Sequence, residues 1–310
     1  MSKSRPPLLL IAGPTASGKS ALALEWAKRT DGVIVNADAS QVYRDLPILS
    51  AAPTETEKKV ADHRLFQTID GREACSAARW AALAKAEIAA VHGEGRSAVL
   101  VGGTGLYIRT LLDGIAPVPE IDAGVRADVR DATVENNREA LAVLDPEAAA
   151  RLKPADRQRI ARALEVVRST GRPLSEWQKE NVGGIASDID LHPLILLPPR
   201  EWLYARCARR FEAMIDHGAD QEVAALLARK LDPALPVMRA IGVAEIAAWL
   251  DGSLDRNEMI EAGTRATRQY AKRQYTWFAH QPPSDWPRFT GPLDDQEALT
   301  RALALLGIDD

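Results

Sequence analysis

The chain has 310 residues, 46% of them hydrophobic and 26% charged, ordinary proportions for a globular protein of one large domain or two smaller ones. No apolar run approaches the roughly twenty residues that span a bilayer and the first residues lack the apolar segment of a secretory leader, so no membrane partner and a cytoplasmic location are expected. A formal net charge of −4 argues against indiscriminate nucleic-acid binding and leaves room for a local basic surface.

The first apolar run, Leu8–Ala12, reads as a buried strand and ends in Gly13-Pro14-Thr15-Ala16-Ser17-Gly18-Lys19-Ser20. A helical pattern, Ala21–Lys28, follows at once, which is the strand, loop and helix order of a phosphate-binding loop. Gly13 and Gly18 let the backbone curl until several N–H groups face one anion, and the helix N-terminus adds partial positive charge. Lys19 would bridge outer phosphate oxygens and the Ser20 hydroxyl would hold Mg²⁺. The bland alternative is a chance glycine-rich turn.

The second strand, Val33–Ala37, leads into Asp38-Ala39-Ser40-Gln41-Val42-Tyr43. Asp38 at a strand's carboxyl edge beside the loop suits a proton acceptor or a water-mediated Mg²⁺ contact; capping a helix is its structural alternative. Cys75 and Cys207 lie far apart in sequence and both fall in helical patterns. Both read as buried or half-buried thiols, and the five scattered histidines make a zinc site improbable. The third strand, Ala98–Val101, ends in Gly102-Gly103-Thr104-Gly105 with no carboxylate. Phosphate-loop hydrolases place a Mg²⁺-organising acid there, so water activation loses a standard part. These glycines also fit a plain tight turn.

Around Ile115–Ile121 the chain turns proline-rich, and only helix signal follows until about Gly183-Gly184. This predicts an all-helical insertion over 121–185 within a core made of 1–120 and 186–310. Its basic helix, Asp156–Arg168, buries Ile160, Leu164 and Val167 on one face and projects Gln158, Arg159 and Arg162 from the other. A strand at Leu191–Leu197 resumes the sheet. Helices are expected at Trp202–His217, Asp220–Lys230, Val243–Asp251 and Asn257–His280, then a surface-wrapping tail from Gln281. Residues 151–180 hold eight Lys/Arg against four Asp/Glu, and 264–280 hold four against none. In the latter, Arg265, Arg268 and Lys272 share a stripe opposite Tyr270 and Trp277, a pattern that suits RNA-backbone contact or an ordinary amphipathic helix. Arg239 is a candidate diphosphate clamp. Alternating strands and helices predict an α/β open parallel sheet of phosphate-loop NTPase type, helices on both faces, with the ligand beyond the strands' carboxyl ends.

Taken together, Gly13–Ser20, Asp38–Tyr43, Val101-Gly-Gly-Thr-Gly-Leu-Tyr107, Asp156–Gly171, Arg239–Gly242 and Thr267–Trp277 resemble the tRNA dimethylallyltransferase (isopentenyltransferase) family over nearly the whole chain. The resemblance implies transfer of a dimethylallyl group from dimethylallyl diphosphate to N6 of the adenosine 3′-adjacent to the anticodon. It implies catalytic roles for Asp38, Thr104 and Lys19. Diphosphate would be held by Gly13, Pro14, Thr15, Ala16, Ser17, Gly18, Lys19, Ser20 and Arg239, with Mg²⁺ on Ser20. It also implies tRNA contacts at Asp38, Ala39, Ser40, Gln41, Thr104, Arg126, Gln158, Arg159, Ile160, Ala161, Arg162 and Lys272, in a monomer. Ala39 stands where the family usually has serine, and Ala52 where it usually has lysine. A phosphate-loop kinase and a nucleotide-dependent RNA-binding switch are the competing readings.

Overall fold

The computed structural model describes residues 5–307. Six strands form one sheet: β1 (Pro7–Ala12), β2 (Val33–Asn36), β3 (Asp62–Arg64), β4 (Ala98–Gly102), β5 (Asp190–Leu196) and β6 (Arg288–Phe289). Their order is β3-β2-β4-β1-β5-β6, with every pair parallel. β1, β2 and β4 are buried nearly throughout, as expected of central strands covered on both faces. The open α/β architecture and the four apolar strands follow the sequence pattern. The two edge strands escaped it: β3 reads Asp-His-Arg, charges that blunt a sheet edge, and β6 has two residues.

The helices in chain order are α1 (Lys19–Thr30), α2 (Glu55–Val60), α3 (Ala77–Gly93), α4 (Gly105–Asp113), α5 (Ala123–Asp131), α6 (Val134–Leu144), α7 (Pro146–Arg151), α8 (Arg157–Thr170), α9 (Leu174–Trp177), α10 (Arg200–Asp216), α11 (Ala219–Ala228), α12 (Val243–Leu250), α13 (Arg256–His280) and α14 (Gln296–Ala304). Leu112–Ile185 forms one compact unit and the rest of the chain another. The proline-rich connector therefore goes with the helical unit, nine residues earlier than the pattern change suggests. Ile115 and Val182 exchange both backbone hydrogen bonds at 3.0 Å, tying the unit's entry to its exit.

Inside that unit Val129, Leu141, Ile160, Leu164 and Val167 share one core. α8 starts where the Asp156 carboxylate accepts from Arg159 N and stops at left-handed Gly171, as its sequence predicts.

The tail departs from expectation. β6 adds to the sheet, and Leu293, Ala298, Ala302, Leu303 and Leu306 are buried with Leu22 and Trp26 of α1. Spacing explains this: Ala298, Ala302 and Leu306 recur every four residues, a helical stripe hidden behind the prolines.

Candidate functional site

The loop between β1 and α1 is built on unusual backbone. Ala16 (φ 63°) and Gly18 (φ 98°) are left-handed, which turns successive N–H groups toward one side. Gly18 precedes α1 without any side-chain cap, so the first-turn N–H groups of α1 stay open to an anion. A Cβ on Gly18 would lie 2.9 Å from Leu293 Cδ1, so the tail presses directly on the loop. Ser17 is 1% exposed and its hydroxyl has no partner among the described residues.

Two neighbours fix the loop. Gln274 of α13 accepts from Thr15 N at 2.8 Å and donates to Gly103 O at 2.8 Å, so one amide ties the phosphate loop to the end of β4. Arg210 of α10 donates to Thr15 Oγ1. Thr15 N–H is thus engaged, Pro14 has no N–H and Ser17 N donates to Pro14 O at 3.3 Å, which leaves the amides of Ala16 and of Gly18 and the first turn of α1 for an anion. Lys19 Nζ donates to Pro14 O at 2.7 Å. Burial lowers the Lys19 pKa to about 8, against the opposing pull of Asp38 and with the added push of Arg210. Burial likewise lowers that of Arg210. Two half-buried cations converging on one loop favour an anionic ligand.

Asp38 is held on the other wall. Its carboxylate accepts from Ser40 N at 2.9 Å, while Asn36, fully buried, accepts from Asp38 N and donates to Asp38 O. This is a local turn, and no helix begins there, which removes the capping alternative. Trp80 of α3 anchors the strand end by donating to Asn36 O at 3.0 Å and stacks on Tyr107 at 4.5 Å. Thr104 Oγ1 accepts from Ala39 N at 2.9 Å; burial, and after it Asp38, push the pKa of the Tyr270 phenol up. Thr104 and Asp38 therefore belong to one rigid corner.

The glycines after β4 are there for close approach rather than for a special turn. A Cβ would fall 2.1 Å from Ala37 O at Gly102, 2.3 Å from Gln274 Nε2 at Gly103 and 2.5 Å from the Trp277 ring at Gly105.

A cleft of about 1100 Å³ runs past these groups, lined by Thr15–Ala21, Asp38, Gln41, the 47–58 segment and Arg206, Arg209 and Arg210. Ala52 lines it too, where a lysine would have added charge. Lys58 reaches the same wall but is tied to Glu55 and Gln67. No group of three or more His, Cys, Asp or Glu able to hold a metal occurs among the described residues. The donors present, an exposed Ser20 hydroxyl and the Asp38 carboxylate, fit an ion that keeps its waters and takes its remaining ligands from phosphate.

Some expectations shift. Arg239 is exposed, donates to Pro233 O at 3.4 Å and is not among the cleft-lining residues, whereas Arg210 lines the cleft beside the loop. The Gln41 side-chain amide is spent on Ser50 O and Ala51 O. Ile160, 1% exposed, lies inside the helical unit and Ala161 packs against that core, so neither side chain offers the RNA contact expected of it; the i, i+4 stripe points inward. Gln158, Arg159, Arg162 and Arg126 are exposed, as is Lys272 on α13. Arg162 is held at 4.0 Å from buried Glu165, which also accepts from Arg130 at 3.1 Å. Arg210 had no sequence signal beyond a basic helix, and Gln274 lay within the segment Thr267–Trp277 without being singled out there.

Residues 41–281 match the family model for IPP transferase. The chain is 61% identical over 290 residues, 92% of its length and 91% of the relative's, to a protein named tRNA dimethylallyltransferase from Erythrobacter litoralis. It is 62% identical over 282 residues to a protein of the same name from Sphingopyxis alaskensis, covering 91% and 92% of the two chains. Among solved structures, the full-length tRNA isopentenylpyrophosphate transferase of Bacillus halodurans matches with TM-score 0.70 and 30% identity, over 98% of this chain and 97% of that one. A eukaryotic dimethylallyltransferase acting on tRNA matches with TM-score 0.75 and 29% identity, over 88% and 69%.

Proposed function

The chain belongs to the IPP transferase family, and on that premise we propose how it carries out tRNA dimethylallyl transfer: from dimethylallyl diphosphate to N6 of the adenosine 3′-adjacent to the anticodon, releasing diphosphate. The observation that carries the reading is the corner where Asp38 faces Lys19 and Arg210 across a cleft beside which β4 ends in Gly-Gly-Thr rather than an acid. Such a site stabilises a departing anion and accepts a proton, and it lacks the acid that would organise hydrolysis.

In the step proposed, the allylic C–O bond breaks as the N6–C bond forms. Negative charge grows on the diphosphate, where the loop amides, Lys19 and Arg210 meet it. The exocyclic amine is a weak nucleophile until it loses its proton, and Asp38 takes that proton. Thr104, bonded to Ala39 N, keeps the Asp38 segment in place. Ser20, with water, would hold a Mg²⁺ that adds positive charge at the leaving group. The target base leaves its stack to reach Asp38, and exposed Gln158, Arg159, Arg162 and Arg126 supply backbone contacts to the anticodon stem-loop. The protein works as a monomer in the cytoplasm.

The pure protein with Mg²⁺ should move label from dimethylallyl diphosphate onto an unmodified anticodon stem-loop. Asp38→Ala should lower turnover about 10²–10⁴-fold, the usual worth of a general base, with little loss of tRNA affinity. Label arriving only from γ-labelled ATP would replace this reading with the kinase one, and near-normal turnover in Asp38→Ala would remove the base assignment.

A further inference from the structure

Part of the large cleft is walled by a loop, 45–53, that contains no strand or helix. Pro47, Ile48 and Ser50–Pro53 line the cleft, and Leu46, Leu49 and Ser50 line a smaller pocket with Thr15 and Asp38. Irregular backbone keeps one shape only where its N–H and C=O groups find partners. Local turns meet part of that need: Ser50 N donates to Leu46 O at 3.0 Å, and Ala51 N and Ala52 N donate to Ile48 O and Pro47 O at 2.9 Å. Ile48 N and Leu49 N instead reach outside the loop, to one carboxylate. Building on the function given above, we propose that this carboxylate, Glu222 of α11, is a positioning residue that holds the 45–53 wall in place for the diphosphate donor.

Glu222 Oε1 accepts from Ile48 N at 2.6 Å and Oε2 from Leu49 N at 3.0 Å, one oxygen to each amide. Among the described residues α11 contributes no lining group to either cavity, so whatever Glu222 does for a substrate passes through the loop. A second hold lies seven residues on. Arg229 pairs with Asp45 at the loop's start and with Asp70 at 2.6 Å, and Asp45 also accepts from Gly71 N at 2.8 Å. A spacing of seven puts Glu222 and Arg229 on one helix face, so they brace the loop at its start and its middle. Leu49 is fitted against a further segment: a Cβ at Gly242 would fall 2.8 Å from Leu49 Cδ1.

Place and charge point to the donor. The cleft that this loop walls also holds the phosphate loop, Lys19 and Arg210, whereas the RNA-backbone contacts proposed above belong to the other unit. The loop offers no cation of its own, since residues 45–53 read Asp-Leu-Pro-Ile-Leu-Ser-Ala-Ala-Pro. Its part is therefore shape, the set of one wall against the phosphate loop. Glutamine matches glutamate in size, but its NH₂ group cannot accept a hydrogen bond. Glu222→Gln therefore orphans Ile48 N or Leu49 N while the helix keeps its own backbone bonds.

The test measures transfer kinetics of the full chain on an anticodon stem-loop, with amide hydrogen exchange and unfolding midpoints alongside. Glu222→Gln should speed exchange at Ile48 and Leu49. It should raise the KM for dimethylallyl diphosphate about fivefold while kcat and the KM for tRNA hold within about twofold, the mark of lost uniform binding. Should that variant fold poorly, Arg229→Lys, which keeps the charge but loses the fork that spans two carboxylates, should give the same split. Ile88→Ala, at a buried position on α3 away from the loop, should lower the midpoint and leave both KM values alone. A Glu222→Gln enzyme that is less stable with a wild-type KM for the donor makes Glu222 a structural contact and overturns the inference. So does a rise confined to the KM for tRNA, or an equal donor effect in Ile88→Ala. A wild type that transfers nothing from dimethylallyl diphosphate overturns the parent function, and the positioning role with it.

Discussion

Lys19 is the residue in which local sequence and tertiary surroundings pull hardest against each other. The loop motif requires an ammonium there, yet burial has brought its pKa down to about 8. A folded-state pKa below the unfolded value of about 10.5 means the folded chain releases this proton first. The group's contribution to stability therefore rises with pH between about 8 and 10.5, whereas its value for binding an anion is lost over the same window. Affinity for inorganic diphosphate, measured by calorimetry in chelator, should fall as pH rises through about 8, by up to tenfold per unit. Lys19→Arg should flatten that limb, since a guanidinium keeps its charge. A flat wild-type profile from pH 7 to 9.5 would show that Lys19 is not the cation the ligand feels. The motif gave Lys19 its place; Arg210, its partner in the cleft, belongs to a helix whose register against the loop is set by tertiary packing. Gln274 is the same case, a polar residue whose meaning comes from bridging Thr15 and Gly103 across the fold.

Among the elements, α8 shows how much a periodic helix discloses. Its cap, its stop and its inward stripe are all as the sequence predicts, because each depends on neighbours within four residues. What periodicity could not tell is whether the outward face touches anything. Arg159 and Arg162 are exposed at their tips, and partial burial, with a smaller push from Arg126 and Arg130 and against the pull of Glu165, lowers the Arg162 pKa. Buried Glu165 meets part of this charge, at 3.1 Å from Arg130 and 4.0 Å from Arg162, and the proposed RNA contact would meet the rest with phosphate. Arg159→Ala with Arg162→Ala should weaken tRNA binding and lower the slope of log K against log salt by about 1–2, near one unit per lost contact. An unchanged slope would leave this face merely solvated. The short elements were the illegible ones. β3 and β6 are too brief and too polar for a pattern to form, and the glycines after β4 serve approaches from Ala37, Gln274 and Trp277 that only the folded chain reveals.

At the scale of the whole molecule, the core unit is closed by the chain's last segment. β6 pairs with β5, and α14 lays Ala298, Ala302 and Leu303 against α1, the helix that starts at the phosphate loop. Leu293, also from the tail, presses on Gly18 itself. One hydrophobic cluster therefore joins the tail to the helix that starts at the phosphate loop, though among the described residues the tail contributes no group that lines the cleft. The proline-rich composition of 281–293 pointed to a surface wrap, because composition reports a lack of regular structure and says nothing of what the spaced leucines and alanines beyond it can bury. Leu303 is 2% exposed, so Leu303→Ala should cost about 2–5 kcal/mol of unfolding free energy, read as a lower urea midpoint at unchanged m-value. Leu293→Ala sits nearer the ligand, and loosening Gly18 lets the loop amides wander from a shared focus. It should cost less in stability than Leu303→Ala yet raise the KM for dimethylallyl diphosphate more. If the two variants lose affinity only in proportion to stability, the tail is a core filler with no hold on the loop; a disproportionate loss at Leu293 makes it the buttress of the phosphate site.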